Sequence, residues 1–162
     1  MQYLDKPFNQ VVFFVVISIF LSFGTNLLRK DSIPLLAKKL EIVEDIDLSS
    51  DESNLTAISL EKAKEFFENG VLFIDARDEV YYNNGHIKNA MKNVFLMELI
   101  FNIEDSQTKE DPIVVYCGDP GCGDSEDLAY DLQNEGFKKL FVFKGGWLEW
   151  SAANFPADKS NE

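Results

Sequence analysis

This chain of 162 residues has two cysteines, one histidine and little positive charge. Each scarcity removes a class of function. Two cysteines are too few to staple a small disulfide scaffold. With a single histidine they also cannot fill a four-ligand structural zinc site, so no metal is expected, and nothing in the chain calls for a cofactor. Lysine and arginine total 15 against 28 aspartates and glutamates, a net charge of −13. Residues 1–40 hold Lys6, Arg29, Lys30, Lys38 and Lys39 against Asp5 and Asp31, a net of +3, which leaves −16 for residues 41–162. An acidic body with no basic, aromatic-interleaved patch repels phosphate backbones, which sets nucleic acid aside as a partner. No internal repeat is evident.

Apolar residues are plentiful by contrast. They make up 46% of the chain and include fourteen phenylalanines, enough for a packed core. The length suits one domain and an appendage.

The appendage is "VVFFVVISIFLSFGTNLL", residues 11–28, which carries no charge. As a helix it reaches about 27 Å, close to a hydrocarbon core of roughly 30 Å. Its β-branched and aromatic richness suits a helix poorly in water, but lipid forces backbone hydrogen bonds to close internally. A cleaved signal peptide is the competing reading. Ser22 and Gly24 supply small residues for it, whereas only Lys6 supplies a basic leader. A buried core helix would need a larger protein around it. Residues 1–30 are therefore read as a membrane anchor, with 11–28 as the span. The basic excess after the span favours a cytoplasmic C-terminal domain.

Residues 31–55 read as an acidic linker, with six acids and no base between Glu41 and Glu52. A domain follows over 56–158. Ser59 is placed to cap a helix "LEKAKEFFENG" that Gly70 stops. "VLFID" (71–75), "DPIVVYC" (111–117) and "KLFVF" (139–143) read as short buried strands. Ser125 is expected to open the helix "EDLAYDLQNE", and Gly145 and Gly146 to turn the chain into a last helix, "WLEWSAANF". Strands alternating with helices predict an α/β domain with a mostly parallel sheet covered on both faces. Such sheets build sites beyond the carboxyl ends of their strands, and Cys117 falls at one.

Both cysteines lie in "CGDPGCGDS", residues 117–125. Gly118, Gly121 and Gly123 are expected to permit positive φ and to turn amides inward, a cradle for an anion at the Cys117 sulfur. A thiolate there would gain from the helix N-terminus that follows. The bland alternative makes Cys117 a small buried hydrophobe ending a strand.

Several further motifs, taken in order, resemble the rhodanese-like domain family. They are Asp75-x-Arg77, Tyr81 or Tyr82 ahead of Gly85-His86-Ile87, Ala90, Cys117, Gly136, Gly145-Gly146-Trp147, Trp150 and Pro156. The resemblance covers about Ala57 to Pro156, and with the span it extends to membrane-anchored bacterial members. It implies a central parallel sheet flanked by helices, and sulfurtransferase chemistry with Cys117 as nucleophile. Its partners would be a sulfur donor and a thiol acceptor, with sulfur held as a persulfide. Gly118, Asp119, Pro120, Gly121, Cys122, Gly123, Asp124 and Ser125 would form the substrate-binding loop. In the same family the GHI motif containing His86 is structural.

This loop departs from the pattern of active members, Cys-x-x-x-x-Arg. Eight residues precede Ser125, and Cys122 occupies the position where a cation is usual. No lysine or arginine is present, while Asp119 and Asp124 add negative charge. That charge raises a thiolate pKa and repels a dianion such as thiosulfate. A phosphatase-like chemistry on this fold would require the missing arginine. Cys122 permits another chemistry, since it can resolve a persulfide or sulfenate on Cys117 into a disulfide. Three functions stand side by side: a membrane-anchored sulfurtransferase, a non-catalytic partner-binding module, and a Cys117/Cys122 redox element.

Overall fold

The computed structural model describes residues 7–29, 40, 42 and 54–159. The chain divides into two units, 1–39 and 40–162. Most of the acidic stretch, together with Lys30, Lys38 and Lys39, lies outside the described residues.

The first unit contains one helix, α1 (Pro7–Leu28), 22 residues long. At 1.5 Å per residue it reaches about 33 Å, long and apolar enough to cross a membrane. Within this unit none of its side chains is buried. Its hydroxyls close inside the helix: Ser18 Oγ donates to the Phe14 carbonyl at 2.8 Å, and Thr25 Oγ1 to that of Ser22 at 2.9 Å. No polar side chain of these two residues is left needing water.

In the second unit the strands β1 (Asn54–Ile58), β2 (Leu72–Asp75), β4 (Met91–Lys92), β5 (Ile113–Tyr116) and β6 (Lys139–Phe143) form one sheet. Its order is β1-β6-β5-β2-β4, and every pairing is parallel. β3 (His86–Ile87) and β7 (Ala157–Asp158) form a separate antiparallel pair. β1 begins two residues ahead of the boundary expected at 56, and Ile42 bridges to Ala57 beside it. Neither was legible as strand, because β1 gains its partners only from β6, far along the chain.

Alternation along the strands divides the core between the two faces. Ile113, Val115, Leu140 and Val142 pack with Leu99, Ile100 and Ile103 of α4 (Leu96–Ser106), and with Leu128 and Leu132 of α5 (Asp124–Asn134). Val114, Tyr116, Phe141 and Phe143 face Ala63 and Phe66 of α2 (Leu60–Glu68) and Trp150 of α6 (Gly146–Ala152). Both faces of the parallel sheet are thus covered, which explains why its strands read as unbroken apolar runs. Ser59 caps α2 as expected, its side chain accepting from the Lys62 N–H.

The expected opening of α5 at Ser125 is corrected. The helix begins at Asp124 with Gly123 at its cap, and the Gly123 carbonyl accepts from the Glu126 and Asp127 amides. Ser125 is buried inside the first turn instead. A short helix α3 (Glu79–Asn84) follows β2 and completes the set.

Candidate active site at the carboxyl end of the sheet

Parallel strands bring all their carboxyl ends to one edge, so the segments after β2, β5 and β6 meet there. Cys117 is the residue after β5 and is 4% exposed. The strand end that carries it is held from both sides. Tyr116 donates its hydroxyl to Asp75 Oδ2 at 2.8 Å, and the Tyr116 hydroxyl oxygen in turn accepts from the Ile87 amide at 3.0 Å. Burial, and then the charge of Asp75, raise the Tyr116 pKa far above its ordinary value, so the phenol stays protonated.

Asp75 and Arg77 form a buried, two-point ion pair, with Nε 2.9 Å from Oδ1 and Nη2 2.6 Å from Oδ2. Nη2 also donates to the Gly85 carbonyl at 2.7 Å, and the guanidinium lies 5.2 Å from the Trp147 ring. Burial opposes the Arg77 charge, but the hydrogen bonds and charge of Asp75 outweigh it and raise the pKa. Arg77 therefore ties the end of β2 to the segment before β3.

The loop 117–123 rests on the start of α6. The Trp147 amide donates to the Cys117 carbonyl at 2.8 Å and the Leu148 amide to that of Gly118 at 2.9 Å. Gly146 allows this approach, since its φ is +58° and a Cβ there would lie 2.5 Å from the Cys117 oxygen. Lys144, just before, pairs with Glu126 in the first turn of α5.

The expected cradle is corrected. Among the described residues, positive φ occurs at Gly70, Gly85, Gly136 and Gly146 among the glycines, and not at Gly118, Gly121 or Gly123. The loop amides serve a local turn instead: Gly121 N–H donates to Asp119 Oδ1 at 2.7 Å, and Cys122 N–H to the Asp119 carbonyl at 3.1 Å. This turn folds Cys122 back over Cys117. Their sulfurs are joined in a disulfide, with the Cα atoms 6.1 Å apart. The separation lies within the range that a disulfide spans without backbone movement.

Asp124 Oδ2 lies 3.5 Å from Cys122 Sγ and 3.9 Å from Cys117 Sγ. Cys117, Cys122 and Asp124 are also the one group among the described residues with metal-ligand proximity, their donor atoms lying within 4.8 Å of one another. Joined sulfurs offer no thiolate, so that set exists only when the loop is reduced.

A cavity of about 510 Å³ opens beside the cysteines, lined by Cys117, Gly118, Asp119, Cys122 and Asp124 of the loop. Pro120, Gly121, Gly123 and Ser125 do not line it. Arg77, Asp78, Tyr81, Trp147, Leu148 and Ser151 complete the wall. Trp147 is half-buried, packed against the core cluster of the fully buried Trp150 while also lining this wall. The usable signal for Arg77 and Trp147 was position alone, because both follow parallel strands adjacent to β5. His86 stays away from the cavity, stacked 3.7 Å from the Tyr82 ring with Nδ1 placed to donate to the Tyr82 carbonyl at 2.9 Å.

The rhodanese-like domain family matches residues 59–153. The chain is 30% identical over 110 residues to thiosulfate sulfurtransferase GlpE of Coxiella burnetii, which spans 68% of this chain and 94% of the relative. It is 22% identical over 134 residues to the mitochondrial protein HIGH ARSENIC CONTENT 1 of Arabidopsis thaliana, spanning 76% and 73% respectively. Among solved structures, the Alr3790 protein of Anabaena sp. superimposes with a TM-score of 0.53 at 27% identity, over 62% of this chain and 79% of that one.

Proposed function

This chain belongs to the rhodanese-like domain family, and on that premise we propose that it is a membrane-anchored sulfurtransferase carrying sulfane sulfur as a persulfide on Cys117. The observation that carries the reading is the placement of Cys117 at the end of a central strand, on the wall of a cavity of about 510 Å³. Likeness to GlpE sulfurtransferases supports the same chemistry. The reduced Cys117 thiolate attacks the outer sulfur of a donor and expels the remainder, which is sulfite when the donor is thiosulfate. An acceptor thiolate then takes that sulfur and returns the thiolate. The helix α1 holds the domain at a bilayer, on its cytoplasmic face.

The Cys117–Cys122 disulfide favours a second reading, a thiol-disulfide couple built on the same loop. The two are compatible, since reduction must precede sulfur loading. The test is intact mass of the full chain in detergent, reduced, desalted and exposed to thiosulfate. A gain of one sulfur that disappears in Cys117→Ser supports transfer. A loss of two hydrogens that needs both cysteines, with no sulfur gained even by Cys122→Ser, leaves the redox couple alone.

A further inference from the structure

We propose that the loop discharges its own sulfur as sulfide, by internal attack of Cys122 on the Cys117 persulfide, with Asp124 carrying the proton. This rests on the sulfurtransferase reading and names the acceptor that the loop itself contains.

The loop is built for that exchange. The Asp119 turn brings Cys122 Sγ to bonding distance of Cys117 Sγ, while the backbone carbonyls of Cys117 and Gly118 are pinned to α6. The segment that carries Cys117 is thus fixed on α6 while the Asp119 turn carries Cys122 to it. An attacking group already held in place avoids the encounter cost of an external thiol. External acceptors are also handicapped by charge, because a small-molecule thiolate meets Asp119 and Asp124 on the cavity wall. A thiol delivered by the protein is spared that approach.

The step balances without a further reagent. Cys122 sulfur forms a bond to Cys117 Sγ, and the bond from Cys117 to the outer sulfur breaks, its electron pair leaving with that sulfur. The outer sulfur is reduced to sulfide, and the two cysteine sulfurs end as the disulfide. The Cys122 thiol proton passes to the Asp124 carboxylate, which lies at hydrogen-bond distance from that sulfur, and then to the departing hydrosulfide. A dithiol reductant afterwards reopens the loop, as the reducing cytoplasmic pool does for accessible disulfides.

The experiment uses the full chain in detergent, reduced and desalted, then loaded with thiosulfate labelled with ³⁴S at its outer position. Labelled sulfide and intact mass are followed together. The expected result is release of labelled sulfide by the wild type, with its mass settling two hydrogens below the reduced form. Cys122→Ser should hold the extra sulfur and release label at least tenfold more slowly. Asp124→Asn should slow release ten- to a hundredfold, whereas Asp127→Asn, the same charge change on an exposed residue, should not. Equal release from wild type and Cys122→Ser overturns the proposal, and equal rates for wild type and Asp124→Asn overturn the proton path. Failure of Cys122→Ser to gain any sulfur sinks the sulfurtransferase reading itself. A stable persulfide on the wild type sinks only the internal discharge.

Discussion

The carbonyl oxygen of Cys117 accepts the amide hydrogen of Trp147 at 2.8 Å, so the candidate nucleophile is mounted on the first turn of α6. Residue 117 follows a central strand and residue 147 follows the next one in the sheet. Their contact fixes the loop's origin, while the Asp119 turn fixes its return. Between them they hold the Cα atoms of the two cysteines 6.1 Å apart, a separation that a disulfide spans.

Gly146→Ala should disturb this mount. The added Cβ meets the Cys117 oxygen at 2.5 Å, in a backbone conformation with φ of +58°. Strain and overpacking together cost about 2–4 kcal/mol. Denaturant unfolding measures the loss, and Gly123→Ala, with nothing within 4 Å of its Cβ, serves as the near-neutral comparison. Equal stabilities would show that α6 can retreat.

Arg77→Met should strand Asp75, which is fully buried. Removing one partner of a buried pair costs about 3–5 kcal/mol. Arg77→Lys should recover only part of it, because an ammonium cannot reproduce the two parallel bonds to Asp75 and the third to Gly85. Full recovery by lysine would mean that charge alone matters here.

Stability should fall in alkali through Tyr116. Its folded pKa is raised by burial and then by Asp75, so the folded phenol keeps its proton while the unfolded one ionises near pH 10. The contribution is complete below about pH 10 and declines above it, by about 1.4 kcal/mol per pH unit. Tyr116→Phe should begin about 1–3 kcal/mol lower, having lost the bonds to Asp75 and Ile87, yet show a shallower alkaline slope. Parallel slopes in urea titrations between pH 8 and 11 would contradict the assignment.

Thiosulfate should be used poorly, and Asp119→Asn should improve it. A dianion about 6 Å from one carboxylate in water-like surroundings is opposed by about 1.4 kcal/mol, a tenfold effect on KM. Asparagine keeps an oxygen for the Gly121 amide, so the turn survives. The gain should shrink at high ionic strength. A salt-independent KM in both forms would remove charge as the cause.

Deleting residues 1–28 should move the protein from the membrane fraction to the soluble one. In sealed inside-out vesicles added protease should reach the domain, and in right-side-out vesicles it should not. The reverse pattern would place the disulfide loop in an oxidising compartment and set the cytoplasmic orientation aside.

Much of the fold was legible because its cues are local. The strands at 72–75, 113–116 and 139–143 are short apolar runs between polar stops, and α2 announces itself through Ser59 and the spacing of Ala63 and Phe66. β1 was partly missed because a five-residue edge strand ending a polar stretch is defined by its partner β6. The two-residue strands β3, β4 and β7 have no periodicity to read. At the site, Cys117 was found by its place after a strand, and Cys122 by its spacing in the loop. Arg77 and Trp147 became wall residues only through the sheet order.

By itself the sequence determined the apolar N-terminal helix, the alternating α/β pattern, and a cysteine loop lacking any cation, since these follow from composition and short-range order. Only the tertiary structure decided the state of that loop. In place of an anion cradle the loop forms a turn built on Asp119, with the Gly121 amide on its side chain and the Cys122 amide on its carbonyl. The turn closes Cys122 onto Cys117 and sets Asp124 beside both. Spacing of five residues permits such a closure, but it is the docking of residues 117 and 118 on α6, from a distant part of the chain, that holds the loop in place for it.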